Sequence, residues 1–335
     1  MKNRRVTGAA LAGALIAAAA GTVAWQGSEA DSRAGVLDLR RPGTVVTVAL
    51  GASRVEQSTR DGRRVAEGPE CTRAAVAAGT LACLRGLPGP FSSEMRVYRD
   101  DAAAPVATLP VWGEPSRARV SPSGDVVAWT VFRSGDSYLQ QGRFSTTAGF
   151  YDLRDGTHVG SLEDFTAAVD GRPYREEDRN FWGITFAADD RTFYATMASR
   201  GRTWLMRGDA RERSLVSVRE NVECPSLSPD GTRLSYKKRV DGDRWRLHVL
   251  DLRTRHDVAL AETAHVDDQP AWLDEDTVAY ARPQGRGLAV FTVAADGSGT
   301  PRRLIEGSSP TVTTVAPSSG GRAEGAAAPL RGGTP

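Results

Sequence analysis

The sequence is short of nearly every feature that marks an enzyme. It has no G-x-S-x-G turn to present a serine nucleophile, and no H-E-x-x-H, phosphate-loop or dinucleotide-binding fingerprint. Its four histidines, His158, His248, His256 and His265, are scattered, and none stands at metal spacing from a second ligand. No cofactor or metal is expected on these grounds. Charge of one sign is lacking too: 43 lysine and arginine residues face 41 aspartate and glutamate residues, which argues against a nucleic-acid partner. Cysteine is scarce, at three, with no paired spacing that suggests zinc. Long apolar runs are absent with one exception. What is present is a globular composition, 40% hydrophobic and 25% charged, with 35 glycines and 18 prolines that suit a fold of many turns.

The exception is residues 6–24, a stretch without a charge that follows Lys2, Arg4 and Arg5. A basic start before an apolar segment marks export. Small residues at Ala24 and Ala30 suit signal-peptidase cleavage, while the run approaches the roughly 20 residues that span a bilayer. Residues 1–30 are therefore read as a cleaved signal or an apolar helical membrane anchor, with the body extracytoplasmic in both cases. An oxidising exterior permits a disulfide. Cys71 and Cys83 lie six residues either side of Ala77, a hairpin centre, and form the expected pair. Cys224 is left as a small buried side chain.

The body is repetitive. Residues 119–129, RVSPSGDVVAW, and 226–236, SLSPDGTRLSY, share a short strand, a Pro–Gly turn and an alternating strand. Proline presets the first turn corner and glycine accepts the positive φ that closes it. Weaker copies are ITFAADDRTF from Ile184, PAWLDEDTVAY from Pro270, AVAAGTLAC from Ala75 and VAPSSG from Val315. The position of Ser228 then recurs at Ala77, Ser121, Ala187, Leu273 and Ala316, with steps of 44, 66, 41, 45 and 43 residues. A period in that range, with about four short strands in each unit, is that of a β-propeller. The C-terminus supplies one further strand and residues 44–67 supply three, so a split sixth blade closes the ring. The expected fold is all-β: a six-bladed propeller over 44–316, a linker at 31–43, and a disordered Gly/Ala/Ser/Pro tail at 317–335.

This S-P-D-G hairpin, followed by the aliphatic strand 245–252 (WRLHVLDL), resembles the repeat of the TolB-type β-propellers. The run NVECPSLSPDG from Asn221, with VDDQ from Val266, is similar to the exported TolB-like proteins of actinobacteria. The resemblance implies the fold and, more broadly, a binding platform. The proteobacterial relative carries an extra N-terminal α/β domain, and no counterpart of it is expected in this sequence.

Functional residues are expected on one end of the disc, where connections enter the innermost strands and join second to third strands. The long polar segments 133–145, 163–182, 237–244 and 265–269 fall there. The candidates are Asp267, Asp268, Gln269, Asn221, Glu223, Glu114 and, from YREEDRNFW, Arg175, Asp178, Arg179 and Asn180. Acidic residues gathered there would favour a cation or basic peptide, whereas Lys237 and Lys238 read as a solvated strand end. The favoured function is a monomeric, non-catalytic extracytoplasmic binder of an envelope protein or peptide, touching membrane only if residues 1–30 are retained. The alternative is a glycosidase or lactonase-like propeller hydrolase with carboxylates at the channel mouth.

Overall fold

The computed structural model describes residues 35–90, 92–133 and 145–313. The export segment, the tail and almost all of the 133–145 loop lie outside the described residues, as does the last repeat marker at Ala316. Among the described residues no helix is long and apolar enough to cross a membrane.

The chain folds into six sheets. Blade one is Arg73–Ala77, Thr80–Gly86, Ser92–Arg99 and Pro105–Trp112, and blade two is Glu114–Val120, Val126–Phe132, Thr146–Asp152 and His158–Val159. Blade three holds Asn180–Phe186, Thr192–Ser199, Arg202–Asp209 and Ser214–Glu220. Blade four is Glu223–Leu227, Arg233–Asp241, Arg244–Asp251 and Asp257–Ala259; blade five is Ala271–Trp272, Thr277–Gln284, Gly287–Ala294 and Arg302–Glu306. Blade six is composite, with Ser308–Val312 innermost and Thr44–Val48, Arg54–Thr59 and Arg64–Glu70 outside it. Each first strand touches the first strands of both neighbouring blades, so the sheets form a closed ring.

The repeated turn has one hydrogen-bond plan. Ser121 N–H donates to Val126 O and Ser228 N–H to Arg233 O, both at 2.8 Å, while Gly124 and Gly231 donate back to the serine carbonyls at 2.9 Å. The serine hydroxyls accept from the amides of Val126 and Arg233. The glycines carry φ of 84° and 72°; in blade three Asp190 stands in that place at φ 53°, which a short polar side chain tolerates. Blade six has no such turn, because the chain is cut there. Thr313, not Ala316, occupies the serine position, and it bonds across the cut to the Thr44 hydroxyl at 2.8 Å.

Two blades exceed four strands. Gly35–Val36 adds to blade six in parallel with Arg64–Glu70, and Leu37 and Leu39 behind it are buried, which brings part of the expected linker into the domain. The 163–181 insertion is a short 3-10 turn at Leu162–Asp164 and two strands, Thr166–Val169 and Arg172–Tyr174, that extend blade three outward. Large side chains fill the seams between blades. Between blades two and three, Phe150, Phe165, Phe186 and Phe193 meet with centroids 5.3–6.3 Å apart, mostly edge to face, the favoured aromatic geometry.

The expected Cys71–Cys83 disulfide is present, with Cα atoms 5.3 Å apart, and Cys224 is free and buried. The bridge closes a short loop, with a sequence separation of 12. Replacing both cysteines by alanine is expected to lower unfolding stability by about 2–4 kcal/mol in urea titrations. A reductant should reproduce the loss in the parent and add nothing in the variant.

Candidate functional site

A small cleft opens at the end of the ring where the innermost strands begin. Its cavity measures about 60 Å³, the space of roughly two waters. Trp182, Phe132 and Trp245 give it apolar walls, and Arg117, Lys237, Glu223 and Asp267 give it charge. These side chains come from the entry to the inner strands of blades two, three and four, from the end of the second strand of blade two, from the second and third strands of blade four, and from the approach to blade five.

Lys237 is central, and it is not the solvated strand end expected. Its side chain is 4% exposed. The reason lies in the repeat. Nine residues after Ser121 and Ala187 stand Thr130 and Thr196, whose hydroxyls accept from Gly183 N–H (3.1 Å) and Cys224 N–H (3.0 Å) of the next blade. Both donor amides lie at bulges where the inner strand turns through positive φ, 68° at Gly183 and 51° at Cys224. Nine residues after Ser228 the position holds Lys237 instead. A long cation thus enters a seam built elsewhere for a hydroxyl, and it reaches Asp267 with its Nζ (2.5 Å) while lying 4.6 Å from the Trp245 ring centroid. Burial opposes this charge, but the Cys224 sulfur, Asp267 and Glu223 outweigh it and hold the ammonium above the ordinary lysine range. Lys238 is only partly exposed and bonds Asp257 on the other side of the sheet. The misfit of lysine against two threonines was the available sequence signal.

Glu223 is likewise buried, with a side chain 4% exposed. Its Oε1 accepts from Trp245 Nε1 at 2.9 Å and from Arg239 at 3.3 Å. Arg239 also covers the Trp245 ring at 5.1 Å, so the indole lies within reach of two cations.

The other expected residues brace the mouth. Asp268 is buried and accepts from Ala281 N–H at 2.9 Å, and Gln269 donates to Pro225 O at 3.0 Å, tying blade five to blade four. Asn221, at φ 59°, both donates to Arg239 O (2.9 Å) and accepts from Arg239 N–H (3.0 Å). Asn180 accepts from the amide and hydroxyl of Thr146. Arg179 donates to the carbonyls of Glu163, Phe165 and Glu176, and Asp178 accepts from Ser199 and Arg200 N–H. Those hydrogen bonds, the Ser199 hydroxyl foremost, hold the Asp178 carboxyl below its usual range. Arg175 and Glu114 are exposed and are not part of the cleft lining. The structure therefore brings Glu223 and Asp267 together but gives each a cation, so the mouth is not the bare acidic cluster that would attract a basic peptide.

This ring, with its split sixth blade and its repeated turn, is a six-bladed β-propeller. Among solved structures it is similar to TolB from Acinetobacter baumannii, with TM-score 0.58 and 15% identity. That match covers 80% of this chain and 66% of TolB, so the chain spans just under two thirds of the other protein's length. It is also similar to a puromycin-hydrolyzing peptidase of Mycobacterium tuberculosis, with TM-score 0.49 and 14% identity over 81% of this chain and 45% of that one. The β-propeller domain of the Trilobed protease from Pyrococcus furiosus follows at 0.38 and 9%, over 68% and 69% of the two chains. These likenesses are of fold alone. No family model matches the chain, and no curated protein does.

Burial raises the Asp267 carboxyl, but the Lys237 ammonium overrides it and holds the group below the ordinary aspartate range. A depressed carboxylate contributes stability that is complete above its unfolded value, near pH 4, and is lost as pH falls through the folded value. With Asp267 45% exposed, Asp267→Asn is expected to cost a screened amount, about 1–2 kcal/mol at pH 7. The gap between parent and variant should narrow as urea titrations are taken below about pH 4, from the unfolded aspartate value toward the folded one.

Proposed function

We propose that the protein is an extracytoplasmic, non-catalytic binding module that takes a polypeptide partner of the cell envelope at this mouth. The observation that carries the proposal is the preformed cleft itself. Two tryptophans and a phenylalanine surround the buried Lys237 and Glu223 side chains in a space suited to one side-chain group. Rigid aromatic walls around a desolvated polar centre are the usual make-up of an interface anchor point. Export is supported by the basic, then apolar, start of the chain and by the Cys71–Cys83 bridge. The hydrolase alternative gains little support, since both carboxylates of the cleft are engaged by cations instead of flanking an open reaction space.

The test is photo-crosslinking in cells that make the protein. A crosslinker at Arg175 or Asp243, both exposed at the cleft end of the ring, should trap a protein adduct. The same group at Arg253, exposed at the opposite end, should not. Trp245→Ala should remove the adducts without lowering the amount of folded protein. Equal trapping from Arg253, or adducts indifferent to Trp245→Ala, would overturn the assignment.

A further inference from the structure

Among the described residues, the charged groups that line the cleft cancel. Arg117 and Lys237 are balanced by Glu223 and Asp267. The groups behind them cancel as well: Arg239 lies between Glu223 and Asp243, and Arg119, whose guanidinium reaches Pro270 O, is set against Asp268. A buried ligand charge of either sign would thus meet both attractive and repulsive partners, with little net compensation for its lost hydration.

The cleft nevertheless retains hydrogen-bonding capacity of both kinds. The Lys237 ammonium has three donors, and among the described residues its one hydrogen-bond partner is Asp267. Glu223 uses Oε1 for both of its contacts with the described residues, and its Oε2 accepts from none of them. A donor and an acceptor therefore border the same small space, which Trp182 and Trp245 also line. An apolar group would leave both unmet, which buried polar atoms strongly disfavour.

We propose that the cleft recognises a side-chain carboxamide, that of glutamine or asparagine, presented by the partner peptide. This rests on the peptide-binding reading above. A carboxamide is neutral and planar; its carbonyl oxygen accepts from Lys237 Nζ, its amino group donates to Glu223 Oε2, and its flat faces suit the tryptophan walls. Removing the charge at Glu223 should make the lining net positive and turn the preference toward a carboxylate.

The experiment pans a phage-displayed random heptapeptide library against the folded protein, with Trp245→Ala as counter-selection. Enriched peptides are expected to share a glutamine or asparagine next to an apolar residue. Synthetic peptides that differ only as Gln or Glu at that position should bind the parent with a preference of at least about tenfold for Gln, by fluorescence polarisation. Glu223→Gln, which keeps shape and size, should reverse that order. Enrichment of Lys, Arg, Asp or Glu in the parent would overturn the carboxamide assignment while leaving peptide binding intact. Enrichment that Trp245→Ala does not abolish, or none at all, would overturn both. Thermal melting shows whether Glu223→Gln is folded, and the Gln/Glu comparison in the parent decides the matter without it.

Discussion

Everything at the mouth depends on one long-range pairing, that of Ser308–Val312 with Thr44–Val48. The other blades are built largely from hairpins between neighbouring segments, whose closure costs little chain entropy. The composite blade alone must bring together residues from the two ends of the domain. It is held by Val45 and Val312 packing with Leu273, Ala279 and Val290, and by Thr311, whose hydroxyl bonds to both backbone groups of Val76 in blade one. Without that closure the inner strands would not form a ring, and side chains from three blades and a loop could not share one cleft.

Within the ring, neighbouring blades are registered by small polar contacts to strained backbone. The threonine hydroxyls at 130 and 196 each satisfy an amide that an inner-strand bulge turns away from its own ladder. Lys237 occupies the equivalent place in blade four and reaches a carboxylate on the approach to blade five. The cleft can thus be understood as a local departure from the repeat: one seam exchanges a compact, neutral contact for an ion pair with open space beside it.

That distinction explains what could be read in the sequence. The fold was legible because Ser121, Pro122, Gly124 and their counterparts at 228, 229 and 231 encode a turn by local chemistry, and the flanking strands alternate. Even Asp190, in place of glycine, left the pattern intact. The strands Thr166–Val169 and Arg172–Tyr174 were not legible, since such short pieces have no periodicity and the first pairs with a strand more than forty residues on. Glu223 and Asp267 were placed by their position before inner strands, which the topology preserves. The burial of Lys237 was hidden, because a Lys–Lys pair at a strand end resembles solvated surface until the neighbouring blade is in place. Arg179 and Asn180 look like contact residues in one dimension, and in three they are spent on carbonyls and on Thr146.

The cut in the ring falls where the other blades have a hairpin turn, so Thr44 and Thr313 lie side by side at the same end of paired antiparallel strands. Tension applied between the two ends of the chain would then peel this pair open one hydrogen bond at a time, instead of shearing the bonds together. The Thr44–Thr313 contact is the first bond of that pair to bear the load, and its rupture exposes the edge of an inner strand. Mechanically, the protein is a ring with a clasp: stiff around its circumference and weak at one identified point.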